Sequence, residues 1–297
     1  MRGSELHNQF LIPDYQSLIP SPAINHITLG PFNIYFYALF IMAGILFAAW
    51  FGNRRLKTRG IYNDFIWDFL IVVIPCGIIG ARIYHVLSNY PLYFGPGTDP
   101  MEIFAIWNGG IAIYGSLIGG GIAAFVLCRV KKVSFLLMLD AFAPAIIMAQ
   151  AIGRIGNYFN QELFGLPTDL PWGLIIDDSI ATHTYCQPDV FCAAGQHYHP
   201  TFLYEMLWDL LGFIVLILVE RKFREKLHLG QLFALYIMFY SFGRVWVEMI
   251  RINFSTYIFG LRINVWTAIF SLIAGGLLWI YFNRRKPFET EIIAQQQ

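Results

Sequence analysis

The sequence predicts an all-α polytopic membrane protein of about seven transmembrane helices, with its N-terminus outside and its C-terminus in the cytoplasm. Three observations predict it. Of the 297 residues, 57% are hydrophobic and only 13% charged, where a soluble domain carries about 25% charge. Long apolar runs recur, each close to the ~20 residues that a helix rising about 1.5 Å per residue needs to cross a bilayer. The basic residues gather in alternate short connections. A net charge of +1 excludes the basic footprint of a nucleic-acid binder, and four cysteines are too few for a disulfide scaffold.

In chain order, residues 1–33 contain no basic stretch leading into an apolar core and cleavage site, so no removable signal peptide is expected. The stretch LIPDYQSLIPSPAINHITLGPF instead reads as an arm on the outer membrane surface. Seven apolar runs follow, at 34–52, 65–88, 105–128, 134–152, 201–219, 230–250 and 263–282. After the first come Arg54, Arg55, Lys57 and Arg59; after the third Arg129, Lys131 and Lys132; after the fifth Arg221, Lys222, Arg224 and Lys226; after the seventh Arg284, Arg285 and Lys286. These hold fourteen of the twenty Lys and Arg residues, and their side is cytoplasmic by the positive-inside rule. The outer connections are 89–104, 153–200 and 251–262, and they collect Asp99, Asp169, Asp177, Asp178 and Asp189. Residues 34–285 therefore form one seven-helix membrane domain with an outer loop region at 153–200, and 286–297 a cytoplasmic tail. The glycines of GSLIGGGIAA permit close helix packing.

An Arg at the bilayer centre costs about 2.5–3.5 kcal/mol, so each intramembrane charge needs a partner or a task. Arg82, Arg154 and Arg244 lie outside the basic connections. Tyr240, Arg244 and Glu248 are spaced four apart and share one helix face. That face is either a self-satisfied ion pair or part of a site. Arg154 opens GRIGNYFNQELFG, where Asn157, Asn160, Gln161 and Glu162 replace the apolar pattern. WNGGIAIYGSLIGG brings Asn108, Tyr114 and Ser116 to the same depth, and HPTFLYEMLWD adds His199, Thr201, Tyr204 and Glu205. Every cluster falls at the outer leaflet, in an orientation set by loops that contain none of these residues. Two arginines with few acids near them, walled by apolar helices, suit an anionic lipid headgroup, because guanidinium forks bind phosphate bidentately. The histidines show no HExxH and the cysteines no CxxC, so no metal site is expected. Cys186 and Cys192 stand in the oxidising outer loop, where they could pair or remain reduced.

These motifs resemble bacterial prolipoprotein diacylglyceryl transferase. GRIGNYFNQELFG, WNGGIAIYGSLIG, HPTFLYE, GARIYHVL and YSFGRVWVE each match that family in the expected order, over about residues 20 to 285. The resemblance implies a bacterial inner-membrane enzyme, active toward the outer leaflet. It would move the diacylglyceryl group of phosphatidylglycerol to the thiol of the lipobox cysteine in a prolipoprotein signal peptide, releasing glycerol phosphate. It carries substrate-binding roles onto Arg154, Asn157, Glu162, Gly165 and Tyr37, with Asn160 beside them. Catalytic roles fall on Tyr240, Arg244 and Glu248. The chain departs from the family where many members have an HGG triplet, since Tyr114, Gly115 and Ser116 stand there.

The chemistry needs a base for a thiol of pKa near 8.5 and cations on the departing phosphate ester, and it requires no bound cofactor. Arg154 and Arg244 supply the cations. A tyrosine phenol, ordinarily ionising near 10, is poorly matched to proton transfer at neutral pH, so Tyr114, His199, Glu162, Glu248 and a substrate phosphate oxygen all stay open as the base. Seven spans with an outer N-terminus also describe retinal-binding sensors, but INVWTAIFSLIAGGLLWIYF contains no Lys for a Schiff base. A lipid or solute transporter is the nearer rival, although the repeated halves common to such proteins are missing from the sequence.

Overall fold

The computed structural model describes residues 19–61, 65–177, 180, 196–285 and 287. The chain runs through β1 (His26–Leu29), β2 (Phe32–Tyr35), α1 (Phe36–Lys57), α2 (Phe65–Ser88), the short α3 (Tyr90–Phe94), α4 (Ile113–Val130) and α5 (Phe135–Phe159). It continues through β3 (Leu174–Ile175), β4 (His197–Tyr198), α6 (Thr201–Phe223), α7 (Gln231–Ile250), β5 (Tyr257–Ile258), β6 (Leu261–Arg262) and α8 (Ile263–Phe282). Seven of these helices, all except α3, are long and apolar enough to cross a membrane. The strands form three two-stranded antiparallel sheets.

Four of the expected runs have different ends in the structure: α1 continues past 52 to Lys57 and α6 past 219 to Phe223, and two differ more. The run expected from residue 105 starts as a helix only at Ile113, because 3-10 turns at Pro100–Phe104 and Ile106–Asn108 lead into Gly109 and Gly110, both at positive φ. The run expected to end at 152 continues as helix to Phe159, through Arg154 and Asn157. Those polar side chains find partners inside the protein, so the helix can extend without presenting them to lipid. Of the expected surface arm, residues 19–33 are described and include β1 and the start of β2, whose Phe32 is 71% exposed. Residues 1–18, Cys186 and Cys192 lie outside the described residues.

The chain divides into two compact units. The first comprises Met1–Ile41, Ala151–Trp208 and Phe242–Ile269, with a core of Phe164, Leu174, Ile176, Tyr198, Phe202 and Ile252. The second comprises Met42–Gln150, Asp209–Ser241 and Phe270–Gln297. Its core is built on α5, whose Leu137, Ala141 and Ala145 are fully buried with Cys128. In this unit α2 and α4 approach backbone to backbone, and a Cβ on Gly119 would lie 2.5 Å from the Cys76 carbonyl oxygen. Large aliphatic side chains such as Leu46, Ile71 and Leu117 point out of the protein, as a lipid-facing surface requires.

The second unit also satisfies its own buried charge. Arg82 donates from Nε to Ile103 O at 2.8 Å, from Nη1 to Gly109 O at 2.8 Å and Gly110 O at 3.0 Å, and from Nη2 to Glu102 O at 2.5 Å. The partners of this intramembrane arginine are thus the backbone carbonyls of the loop that leads into α4. Glu220 pairs with both Arg55 and Arg59. Fully buried Asp140 accepts from Gly230 N–H at 2.7 Å and Phe233 N–H at 2.9 Å, capping the start of α7 from another helix. Asp140→Ala leaves those donors unsatisfied and should destabilise the protein by about 1–3 kcal/mol. Thermal unfolding in detergent measures this.

Candidate active site

The first unit concentrates charge at the ends of four elements. The last turns of α5 supply Arg154 and Asn157, the second turn of α6 Glu205, the last turns of α7 Arg244 and Glu248, and the segment beyond it Arg251 and, in β6, Arg262. Glu205 is the common partner. Its carboxylate takes Arg154 Nε at 2.6 Å, Arg244 Nη1 at 2.7 Å and Arg251 Nη2 at 2.8 Å. Glu248 takes Arg244 Nη2 at 2.7 Å, Arg251 Nη1 at 3.5 Å, Arg262 Nε at 3.1 Å and an amide hydrogen of Asn264 at 2.9 Å. Asn157 links the far side, accepting from Arg154 Nη1 at 3.5 Å and donating to Glu162 at 2.8 Å, to which Asn160 also donates at 3.2 Å.

Burial sorts these groups by task. Glu248 is fully buried, and the side chains of Arg251 and Arg262 are 2% and 4% exposed, against 17% for Arg154 and 20% for Arg244. Arg262 spends its remaining donors on the carbonyls of Arg251 and Asn253, both at 2.7 Å. It is a strut. Burial pushes the Arg251 guanidinium down to about 10, Arg244 and Arg154 add to that, and Glu205 and Glu248 oppose it. It therefore stays cationic at neutral pH. Four arginines meet two directly paired carboxylates, so the cluster keeps an excess of positive charge. Its two accessible cations, Arg154 and Arg244, are held side by side by one buried carboxylate.

The acids near the two arginines are thus closer than the sequence suggested. Glu205 belongs to HPTFLYE but carried no role, and Arg251 and Arg262, in the outer connection 251–262, were not singled out. The spacing of Arg251 three residues beyond Glu248 was the available signal.

The unit also holds Gly165, His199 and Tyr37. Gly165 donates its N–H to the His199 carbonyl at 2.8 Å. A Cβ there would stand 2.7 Å from Ile250 O, 2.8 Å from Thr201 Cγ2 and 2.9 Å from His199 Cβ. Gly165→Ala should therefore displace the end of α7 from the start of α6, costing about 1–3 kcal/mol and most of the activity. A thermal shift measured beside turnover checks both. Tyr37 packs on Gly156, where a Cβ would lie 2.7 Å from its ring. His199 Nδ1 lies 3.0 Å from the Tyr204 hydroxyl. Tyr114 and Tyr240 belong to the other unit. There Tyr114 stands half-exposed with its ring 6.2 Å from that of Tyr84, and Tyr240 stacks on Tyr236 at 6.2 Å. Among the described residues no group of three or more His, Cys, Asp or Glu could hold a metal ion.

The chemistry open to this arrangement is anion binding, with two planar guanidinium forks pre-oriented by buried carboxylates. Residues 24–281 match the family model described as prolipoprotein diacylglyceryl transferase. A protein of Bifidobacterium adolescentis is 43% identical over 281 residues, 94% of this chain and 83% of its own length. One of Cutibacterium acnes is 44% identical over 273 residues, 92% of this chain and 89% of its own, and one of Corynebacterium glutamicum 42% over 275 residues, 92% and 86%. All three are named phosphatidylglycerol–prolipoprotein diacylglyceryl transferase. With the family model spanning nearly the whole chain and relatives this similar, the chain belongs to the prolipoprotein diacylglyceryl transferase family.

Proposed function

We propose that this multi-pass membrane protein transfers the diacylglyceryl group of phosphatidylglycerol to a prolipoprotein, the first step of lipoprotein maturation, and that Arg154 and Arg244 hold the lipid phosphate. The observation that carries the reading is the pair of accessible arginines fixed by buried Glu205. The acceptor is the lipobox cysteine. Its thiolate attacks the glyceryl carbon that bears the phosphate ester; the C–S bond forms, the C–O bond breaks, and glycerol phosphate leaves with the electron pair. The thiol proton passes to a base in the site or to a phosphate oxygen. The guanidinium groups stabilise the charge that builds on the departing oxygen, and Asn157, Asn160 and Glu162 orient Arg154. Glu248, fully buried behind Arg244, orients that guanidinium rather than meeting substrate.

The protein works in the bacterial inner membrane. The basic connections face the cytoplasm, and the arginine cluster, at the opposite helix ends, faces the outer leaflet, where phosphatidylglycerol can enter from the bilayer. Radiolabelled phosphatidylglycerol incubated with a lipobox peptide tests this. Label on the peptide with one glycerol phosphate released is the expected result, and lipid moved across the bilayer without peptide labelling would indicate a transporter.

Tyr114 acts by position and hydrogen bonding, with the thiol proton going elsewhere. Tyr114→Phe should keep measurable transfer, and Tyr114→His should be tolerated. Rates against pH for both variants check it, and an inactive Phe enzyme beside a His enzyme with a new ionisation near 6.5 would make Tyr114 the base.

A further inference from the structure

Outside the arginine network, one chain of polar groups in the first unit has its proton positions fixed by chemistry alone. His199 is held by its backbone: its N–H donates to Leu166 O at 3.0 Å, and its carbonyl accepts from Gly165 N–H at 2.8 Å and Thr201 N–H at 2.9 Å. Its ring Nδ1 lies 3.0 Å from Tyr204 Oη, and Tyr204 Oη lies 3.0 Å from Trp172 Nε1. Tyr204 is the neighbour of Glu205 in sequence, and its ring packs 6.2 Å from that of Trp246, two residues beyond Arg244.

An indole Nε1–H can only donate. Tyr204 Oη therefore accepts from Trp172, and the phenol proton must go to another acceptor. Among the described residues that acceptor is His199 Nδ1, which must then carry the lone pair, leaving the imidazole proton on Nε2. In the opposite tautomer two N–H groups would converge on one phenol oxygen while the phenol proton had no acceptor among the described residues, which is the costlier arrangement. Burial also draws the His199 pKa below its ordinary value, so the ring stays neutral at pH 7. Nε2 has no partner among the described residues.

We infer that His199 is a neutral hydrogen-bond donor of fixed tautomer, offering Nε2–H to an oxygen of a bound substrate, and that it is not the base that takes the thiol proton. A base needs a free lone pair, and the one on His199 is committed to Tyr204. The acceptor is a carbonyl or phosphate oxygen, supplied either by the lipid or by the peptide backbone beside the cysteine. The substrate half of this inference rests on the proposed transfer reaction; the tautomer does not.

Two measurements test it separately. Long-range proton–nitrogen correlation NMR of the histidine-labelled protein in detergent, with His199→Gln identifying the signal, should show the Nε2–H tautomer at pH 7, and Tyr204→Phe should remove that preference. An Nδ1–H or doubly protonated ring in the native protein overturns the inference whether or not the protein transfers lipid. In the transfer assay His199→Ala should raise KM about tenfold for one substrate, lipid or peptide, identifying the source of the oxygen. His199→Gln, whose amide N–H reaches toward the Nε2 position, should recover most of that loss. An Ala variant with both KM values unchanged, or a Gln variant whose KM is raised as much as that of Ala, contradicts the donor role.

Discussion

Glu205→Gln is expected to abolish transfer and to destabilise the protein by about 3–5 kcal/mol, the range for breaking a buried ion pair from one side. The carboxylate is 7% exposed and meets three guanidinium groups within 2.8 Å. A Gln amide keeps one oxygen and turns an NH2 toward those cations. Arg251, 2% exposed, is then left beside Arg154 and Arg244 with only Glu248 to offset it, and Glu248 already serves Arg244 and Arg262. The two accessible arginines would separate, and the lipid phosphate would lose its paired anchor. Unfolding in detergent, run beside turnover, measures both effects. A Gln variant of native stability and rate would mean that Glu205 is a bystander.

The next largest effect is expected from Arg154→Lys and Arg244→Lys. Lysine keeps the charge but is a point donor, whereas each arginine uses two nitrogens on protein partners in a fixed plane. An ammonium that holds Glu205 has no rigid second arm for phosphate. Loss of one preorganised donor to a developing oxyanion lowers turnover on the order of a hundredfold, and each Lys variant should fall by at least that while remaining folded. Arg262→Lys supplies the contrast, because Arg262 is buried against backbone carbonyls and its loss should appear first in stability. Lys variants at 154 and 244 that turn over normally would remove phosphate binding from both residues.

Much of the fold is legible in the sequence because a bilayer admits few alternatives: each apolar stretch of the required length, ended by a basic connection, has to be a helix. Helix ends are less legible. The extension of α5 to Phe159 depends on Arg154 and Asn157 finding Glu205 and Glu162, and a sequence window sees only the polar row. Half the site stands out for the same reason, since Arg154, Arg244 and Glu248 are charges where lipid is expected. Glu205 does not, because its contact with Arg244 spans 39 positions and no local periodicity joins them. Arg251 and Arg262 resemble ordinary loop cations until β5 and β6 turn them back onto Glu248. Arg82 was equally conspicuous, yet its partners are backbone carbonyls, which no residue pattern announces.

The central claim, that Arg154 and Arg244 together hold the lipid phosphate, is tested most directly by calorimetric binding of a short-chain phosphatidylglycerol to the detergent-solubilised protein. The native chain should bind it, and either Arg154→Lys or Arg244→Lys should weaken binding about tenfold or more, the equivalent of one charge-assisted hydrogen bond. Equal affinity in the native protein and both Lys variants would place the phosphate elsewhere and contradict the account.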